Sequence, residues 1–204
     1  GGGGGHYNAA VIQAGTGNQP ITGGQEINIH GGGSLILNGG NAVGSAQTFA
    51  QISSYSDQTI NIYDGGSITL TGGAGNGTVL DKDFTIPNSP VDIQGTEKSS
   101  NFARITLESV YGGSPHAQTI NFFGTGVGSI DLFGGSVGSN NFAEINSAYG
   151  QTITGNPSVF IRGGSSGGLP TIPEVDGDMV QGHERGNWAG ISGGDNDNVG
   201  PTQS

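Results

Sequence analysis

The segment Gln58-Thr59-Ile60-Asn61-Ile62, followed by Ser67-Ile68-Thr69-Leu70-Thr71-Gly72-Gly73, recurs along most of this chain. It returns as Gln118-Thr119-Ile120-Asn121-Phe122 with Ser129-Ile130-Asp131-Leu132-Phe133-Gly134-Gly135. It returns again as Gln151-Thr152-Ile153-Thr154 with Ser158-Val159-Phe160-Ile161-Arg162-Gly163-Gly164. A looser copy is Gln25-Glu26-Ile27-Asn28-Ile29 with Ser34-Leu35-Ile36-Leu37-Asn38-Gly39-Gly40, and a weak one is Val91-Asp92-Ile93. The Ile or Val that opens each copy falls at 27, 60, 91, 120 and 153, in steps of 33, 31, 29 and 33. A supersecondary unit recurring at such a period is the mark of a solenoid or propeller, because one unit cannot bury its apolar face without a neighbour stacked on it.

A third motif, Ala-x-Ile, accompanies the other two: Ala10-Val11-Ile12, Ala50-Gln51-Ile52, Ala103-Arg104-Ile105 and Ala143-Glu144-Ile145. Its middle residue varies freely and is expected to face solvent while Ala and Ile face inward, the alternation of a half-buried strand. Three short strands per repeat, rich in Ile, Val, Thr and Phe and punctuated by 43 glycines, fit one coil of a three-sided parallel β-helix. The fold expectation is therefore all-β: a parallel three-sided β-solenoid of about five coils with an extended C-terminal tail.

Like motifs stacked on like would place Ile27, Ile60, Val91, Ile120 and Ile153 in one internal ladder. A second ladder would hold Leu35, Ile68, Ile130 and Val159, and a third Leu37, Leu70, Leu132 and Ile161. The Gly-Gly pairs closing the copies are expected at corners that need positive φ. The spacing from Ala-x-Ile to the next Gln alternates, 13, 6, 13 and 6 residues, which predicts bulges near 16–24 and 110–117 at one corner. Pro87 and Pro90 interrupt the weak copy, so 81–100 reads as a distorted coil or a loop excursion.

The boundaries that follow are a glycine-rich leader at 1–7, a solenoid at 8–164 and a Pro/Gly-rich acidic tail at 165–204. The tail carries Met179, Arg185 and Trp188, expected as assembly contacts since aromatic and Arg side chains anchor interfaces. The five opening glycines and the lack of an initial Met are expected of a processed form or a fragment, from which a signal peptide would be gone.

The recurrent words Asn-Phe-Ala-x-Ile at 101–105 and 141–145, Ile-Thr-Leu-Thr-Gly-Gly at 68–73 and Gln-Thr-Ile-x-Gly-Asn-Pro-Ser at 151–158 resemble repeats of filamentous haemagglutinin-like bacterial exoproteins. The resemblance covers about residues 8–164. It implies a right-handed β-helix, two-partner secretion, a place outside the cell or on its surface, and a role in adhesion, biofilm or surface fibres. The secretion domain of that family is not visible here, and the family brings no catalytic motif.

Charge and composition narrow the partners. Five Lys plus Arg against 16 Asp plus Glu give a net charge of -11, the wrong sign for contacts with nucleic-acid phosphates or an anionic membrane. No run approaches the ~18 apolar residues of a membrane helix. With no Cys, a disulfide framework and a Cys-based zinc site are both ruled out. His6, His30, His116 and His183 show no metal-ligand spacing and read as solvated loop residues. Asp176, Asp178, Asp195 and Asp197 are oxygen-rich calcium candidates, but the EF-hand register runs past Ser204, so a solvated acidic tail is the simpler reading. No other cofactor is expected.

Two functions remain. The first is a non-enzymatic structural subunit or segment of an extracellular fibre, sheath or adhesin that polymerises head to tail through its solenoid ends. The alternative is a carbohydrate-binding or carbohydrate-cleaving module, with Tyr63, Phe123, Phe133 and Phe160 stacking on surface glycans and Asp64 and Asp131 as test carboxylates.

Overall fold

The computed structural model describes residues 7–15, 23–41, 47–74, 101–108, 115–136, 141–164, 187 and 189–193. Thirteen strands follow one another: β1 Tyr7–Ala14, β2 Gln25–Ile29, β3 Ser34–Asn38, β4 Gln47–Ser54, β5 Gln58–Tyr63, β6 Ser67–Thr71, β7 Asn101–Leu107, β8 Ala117–Phe123, β9 Ser129–Phe133, β10 Ala143–Ser147, β11 Gly150–Thr154, β12 Ser158–Arg162 and β13 Ala189–Gly193. Every third strand joins the same sheet. The orders are β1-β4-β7-β10-β13, β2-β5-β8-β11 and β3-β6-β9-β12, and every pairing is parallel. The result is a three-sided β-solenoid of four full coils plus the opening strand of a fifth.

Register puts identical motif positions one above another. Ile27 pairs with Ile60, Ile60 with Ile120 and Ile120 with Ile153. Leu35, Ile68, Ile130 and Val159 align in the third sheet, as do Leu37, Leu70, Leu132 and Ile161. These side chains, Val159 and Ile161 of the end strand excepted, fill the interior with Ile52, Ile105 and Ile145 of the first sheet. The alternation of a pleated strand sends one residue in two to this core. The core exists only because adjacent coils cover each other.

The structure revises the placing of Val91. That residue lies outside the described residues, and Ile120 stands directly on Ile60, so there is no slot between them for it. The proline before Val91 also lacks the N–H that a central strand must donate. Residues 75–100 lie outside the described residues, and the chain leaves β6 and enters β7 at neighbouring points, where Gly73 N donates to Asn101 O at 2.9 Å. The β12–β13 connection at 163–188 leaves and returns in the same way, with Gly164 N donating to Asn187 O at 2.8 Å. Thus β13, inside the stretch read as tail, carries the solenoid past residue 164 and pairs with β10.

Connection lengths alternate at two corners. Between the first and second sheets, 15–24 and 108–116 are long, whereas 55–57 and 148–149 are short. Between the third sheet and the next coil, 39–46 and 134–142 are short, whereas 72–100 and 163–188 are long. The true repeat is a pair of coils, β1 to β6 and then β7 to β12, with β13 opening a third pair.

Two local expectations also change. Gln51 and Glu144, the variable middle residues of Ala-x-Ile, keep only 6% and 7% of their surface, so the outer side of the first sheet is not open to solvent there. Phe49 and Phe102, outward on the same sheet, are buried as well, in a ring stack with Phe142. The Gly-Gly pairs are not the positive-φ residues. Among the described residues those are Gly31, Gly32, Asp64, Gly65, Gly124, Gly155 and Asn156, at the corner between the second and third sheets, with Gly15 and Gly23 at the preceding one. The pairs are glycine because stacked backbone crowds them: a Cβ on Gly73 would strike Gly40 O and the Asn101 side chain.

Candidate assembly interface

Hydrogen-bonded side-chain ladders run along the solenoid axis and give it a direction. In the second sheet Gln58 Nε2 donates to Gln25 Oε1 at 2.7 Å, Gln118 Nε2 to Gln58 Oε1 at 2.7 Å, and Gln151 Nε2 to Gln118 Oε1. Each amide thus donates toward the N-terminal coil and accepts from the C-terminal one. The same nitrogens also tie the corner: Gln25 Nε2 donates to Ser53 O at 3.2 Å and Gln118 Nε2 to Asn146 O at 3.0 Å. On the outer side of this sheet Asn61 donates to Asn28 at 2.8 Å, Asn121 to Asn61 at 2.9 Å, and Thr154 Oγ1 to Asn121 at 2.8 Å. An amide carries both a donor and an acceptor, so a column of them satisfies itself at the strand spacing.

The first sheet has a buried column of its own. Thr48 N and Oγ1 donate to Asn101 Oδ1 at 3.1 and 2.7 Å, Asn101 N and Nδ2 to Asn141 Oδ1 at 3.1 and 2.9 Å, and Asn141 N to Asn187 Oδ1 at 3.0 Å. These residues mark the point where each coil begins, next to the crowded glycines. Asn187-Trp188-Ala189-Gly190-Ile191 is a further copy of Asn-aromatic-Ala-x-Ile, and that spelling is the signal by which β13 is found in the sequence.

Breaking the glutamine column in its middle has a definite cost. Gln118 is fully buried, and Gln118→Met strands Gln58 Oε1 and Gln151 Nε2 without partners. The expected loss is about 1–3 kcal/mol by urea unfolding, the cost of the stranded Gln58 oxygen, since Gln151 is only partly buried and water reaches it. Met at 25, 58, 118 and 151 together should cost less than the sum of the four single changes, because no amide is then left unpaired.

The remaining candidates do not converge. His30 stacks on Tyr63 at 4.4 Å and Tyr63 on Phe123 at 5.1 Å, whereas Phe133 and Phe160 form a separate tilted pair at 5.6 Å. Rings stacked along the axis cover one another's faces, the surfaces that a sugar would need. Asp64 sits in a turn with φ 58°, and Asp131 accepts from Ser129 Oγ at 2.8 Å on its own strand. His116 lies 3.4 Å from Asp57. Among the described residues there is no cluster of three or more His, Asp or Glu able to hold a metal, and no helix long and apolar enough to cross a membrane. Asp176, Asp178, Asp195, Asp197, Met179, Arg185 and Trp188 lie outside the described residues.

What stands out is the state of the ladder ends. Val159 and Ile161 occupy the same ladders as Ile130 and Leu132, which are fully buried, yet keep 51% and 45% of their surface. At the opposite end Ile12 keeps 57%, against 2% for Ile52 beneath it. Among the described residues, the end strands β1 and β12 thus present apolar ladder positions that are buried in the coils between them. No protein-family model, curated protein or solved structure matches the chain. Its class is accordingly that of its architecture, a parallel three-sided β-solenoid.

Proposed function

We propose that this chain is a non-enzymatic structural segment of an extracellular bacterial fibre, sheath or adhesin, in which solenoids stack end to end. The observation that carries the reading is the exposure of Val159 and Ile161, ladder residues of β12 that lack the cover given to Ile130 and Leu132. Open strand edges pair with further chains, and a head-to-tail contact that does not close yields a filament. The ladders support a head-to-tail direction of growth, since Gln58, Gln118 and Gln151 each donate to the glutamine of the coil on the N-terminal side. The resemblance of the repeat words to filamentous haemagglutinin-like exoproteins supports a place outside a bacterial cell.

Electron microscopy of the native preparation tests the proposal. Unbranched filaments of solenoid width are the expected result, and discrete monomeric particles at all concentrations would overturn it. Ile161→Glu gives the matching control. This side chain is already half exposed, so the β-sheet circular dichroism should persist, while a charge on the stacking surface should abolish filaments.

A further inference from the structure

Among the described residues the first sheet has five strands and the other two have four, and this sets how a second copy can dock. For a following copy to continue the ladders, its β2 must lie on β11 and its β3 on β12. Its first coil then coincides with the fifth coil of the preceding copy. The first-sheet slot of that coil is already filled by β13, paired with β10 through Ala143–Ala189 and Ile145–Ile191. The β1 strand of the incoming copy needs the same slot. Both strands spell Ala-x-Ile, and only one can stay.

We infer that β13 keeps the slot and that the incoming copy gives up its own β1, so that each copy donates β13 to the first sheet of the next. This deepens the stacking reading and rests on it. The partner is a second copy of this chain, and the register is fixed. Ala189 of the donor pairs with Ala50 of the acceptor and Ile191 with Ile52, as Ala10 and Ile12 do within one copy.

Two observations favour β13 over β1, and a third favours head-to-tail stacking itself. Ile191 and Ala189 pack against the core, whereas Ile12 keeps 57% of its surface. The strand β13 is anchored from its entry through its middle: Asn187 Oδ1 accepts from Asn141 N at 3.0 Å, Gly164 N donates to Asn187 O at 2.8 Å, and Asn146 Nδ2 donates to Ser192 Oγ at 3.0 Å. Hydrogen-bond polarity also matches across the junction. Gln25 Nε2 of the incoming copy meets Gln151 Oε1, and Asn28 Nδ2 meets Thr154 Oγ1, each in the sense already used within one copy. A reversed, head-to-head stack would set like groups against each other. Donation of one strand to a neighbouring sheet is an established mode of β-augmentation.

The absence of Cys makes a cross-linking test clean. Within one copy β4 and β13 are separated by β7 and β10, so Gln51 and Gly190 are three strand spacings apart, ~14 Å, beyond a disulfide's ~7 Å Cα reach. Full-length Gln51→Cys/Gly190→Cys, oxidised and run without reductant, should give a covalent ladder of multimers. A ladder from Val11→Cys/Glu144→Cys instead would show that β1 displaces β13, which overturns the inference and leaves stacking intact. A ladder from Val11→Cys/Gly190→Cys would show stacking without exchange and overturn it likewise. Monomers from all three pairs and from the native chain would remove the stacking reading itself. Should a cysteine pair fail to fold, single changes decide. Ile191→Asp should abolish filaments and Ile12→Asp should leave them, and the opposite pattern refutes donation by β13.

Discussion

Gly135→Ala should lower stability by at least about 3 kcal/mol, one of the largest losses available to a single methyl group in this chain. The residue closes the third coil at the corner where the chain passes back to the first sheet. Its N–H donates to Asn141 O at 2.8 Å, and a Cβ would meet both Gly73 O and the Asn141 side chain. The obstruction on one side is the backbone of the coil below, which cannot rotate away as a side-chain tip can. Relief requires the two coils to separate, and that lifts neighbouring core rungs as well. In a protein of this size the loss corresponds to a fall in Tm of about 6–12 °C. Gly150→Ala is the matched control: nothing lies near its would-be Cβ, and its φ is not in the left-handed region. It should change stability by no more than about 0.5 kcal/mol. Equal effects at 135 and 150 in thermal unfolding would refute the crowding argument.

Ile120→Ala should cost about 3–4 kcal/mol, within the range for emptying a closed core site. Ile120 is fully buried, with Ile60 below it and Ile153 above. Neither neighbour can fall into the gap, because each is fixed by its own strand pairing. Ile153→Ala, one rung nearer the open end, should cost less than about 1.5 kcal/mol, since that side chain is only partly buried and solvent already reaches it. The comparison reads the ladder as a gradient from sealed middle to unfinished end. Chemical denaturation of the two variants measures it directly, and a larger loss at 153 would mean that the C-terminal coil is covered in solution.

The solenoid and its ladders were legible because the Ile and Leu positions recur at fixed offsets, and a stack of coils is the only parallel arrangement that buries them all. The glutamine that opens each copy was legible as a letter of the repeat but not as a rung. Its role depends on amides standing one strand spacing apart, which no single strand displays. The glycine pairs misled for a related reason. Glycine serves both positive φ and close approach, and only the neighbouring coil tells the two apart. Val91 was drawn into a ladder by spacing alone, since 91 falls midway between 60 and 120. Ile120 instead pairs directly with Ile60, and Gly73 is hydrogen-bonded to Asn101. The strand β13 went unread because the acidic, proline-bearing residues before it dominate the local composition. Asn187 and Ile191 carry the repeat spelling all the same.

The pairing of coils has a consequence for diffraction. Backbone strands alone scatter with an axial period of ~4.8 Å, as any stack of β-strands does. Here the stretch of chain between a third-sheet strand and the next first-sheet strand is long only on every second coil, so the number of residues per coil alternates with a period of twice the strand spacing, ~9.6 Å. An aligned fibre of stacked copies would therefore carry a weaker meridional reflection at half the frequency of the strong one. That second line separates this architecture from a cross-β aggregate of the same protein, whose layers are all alike.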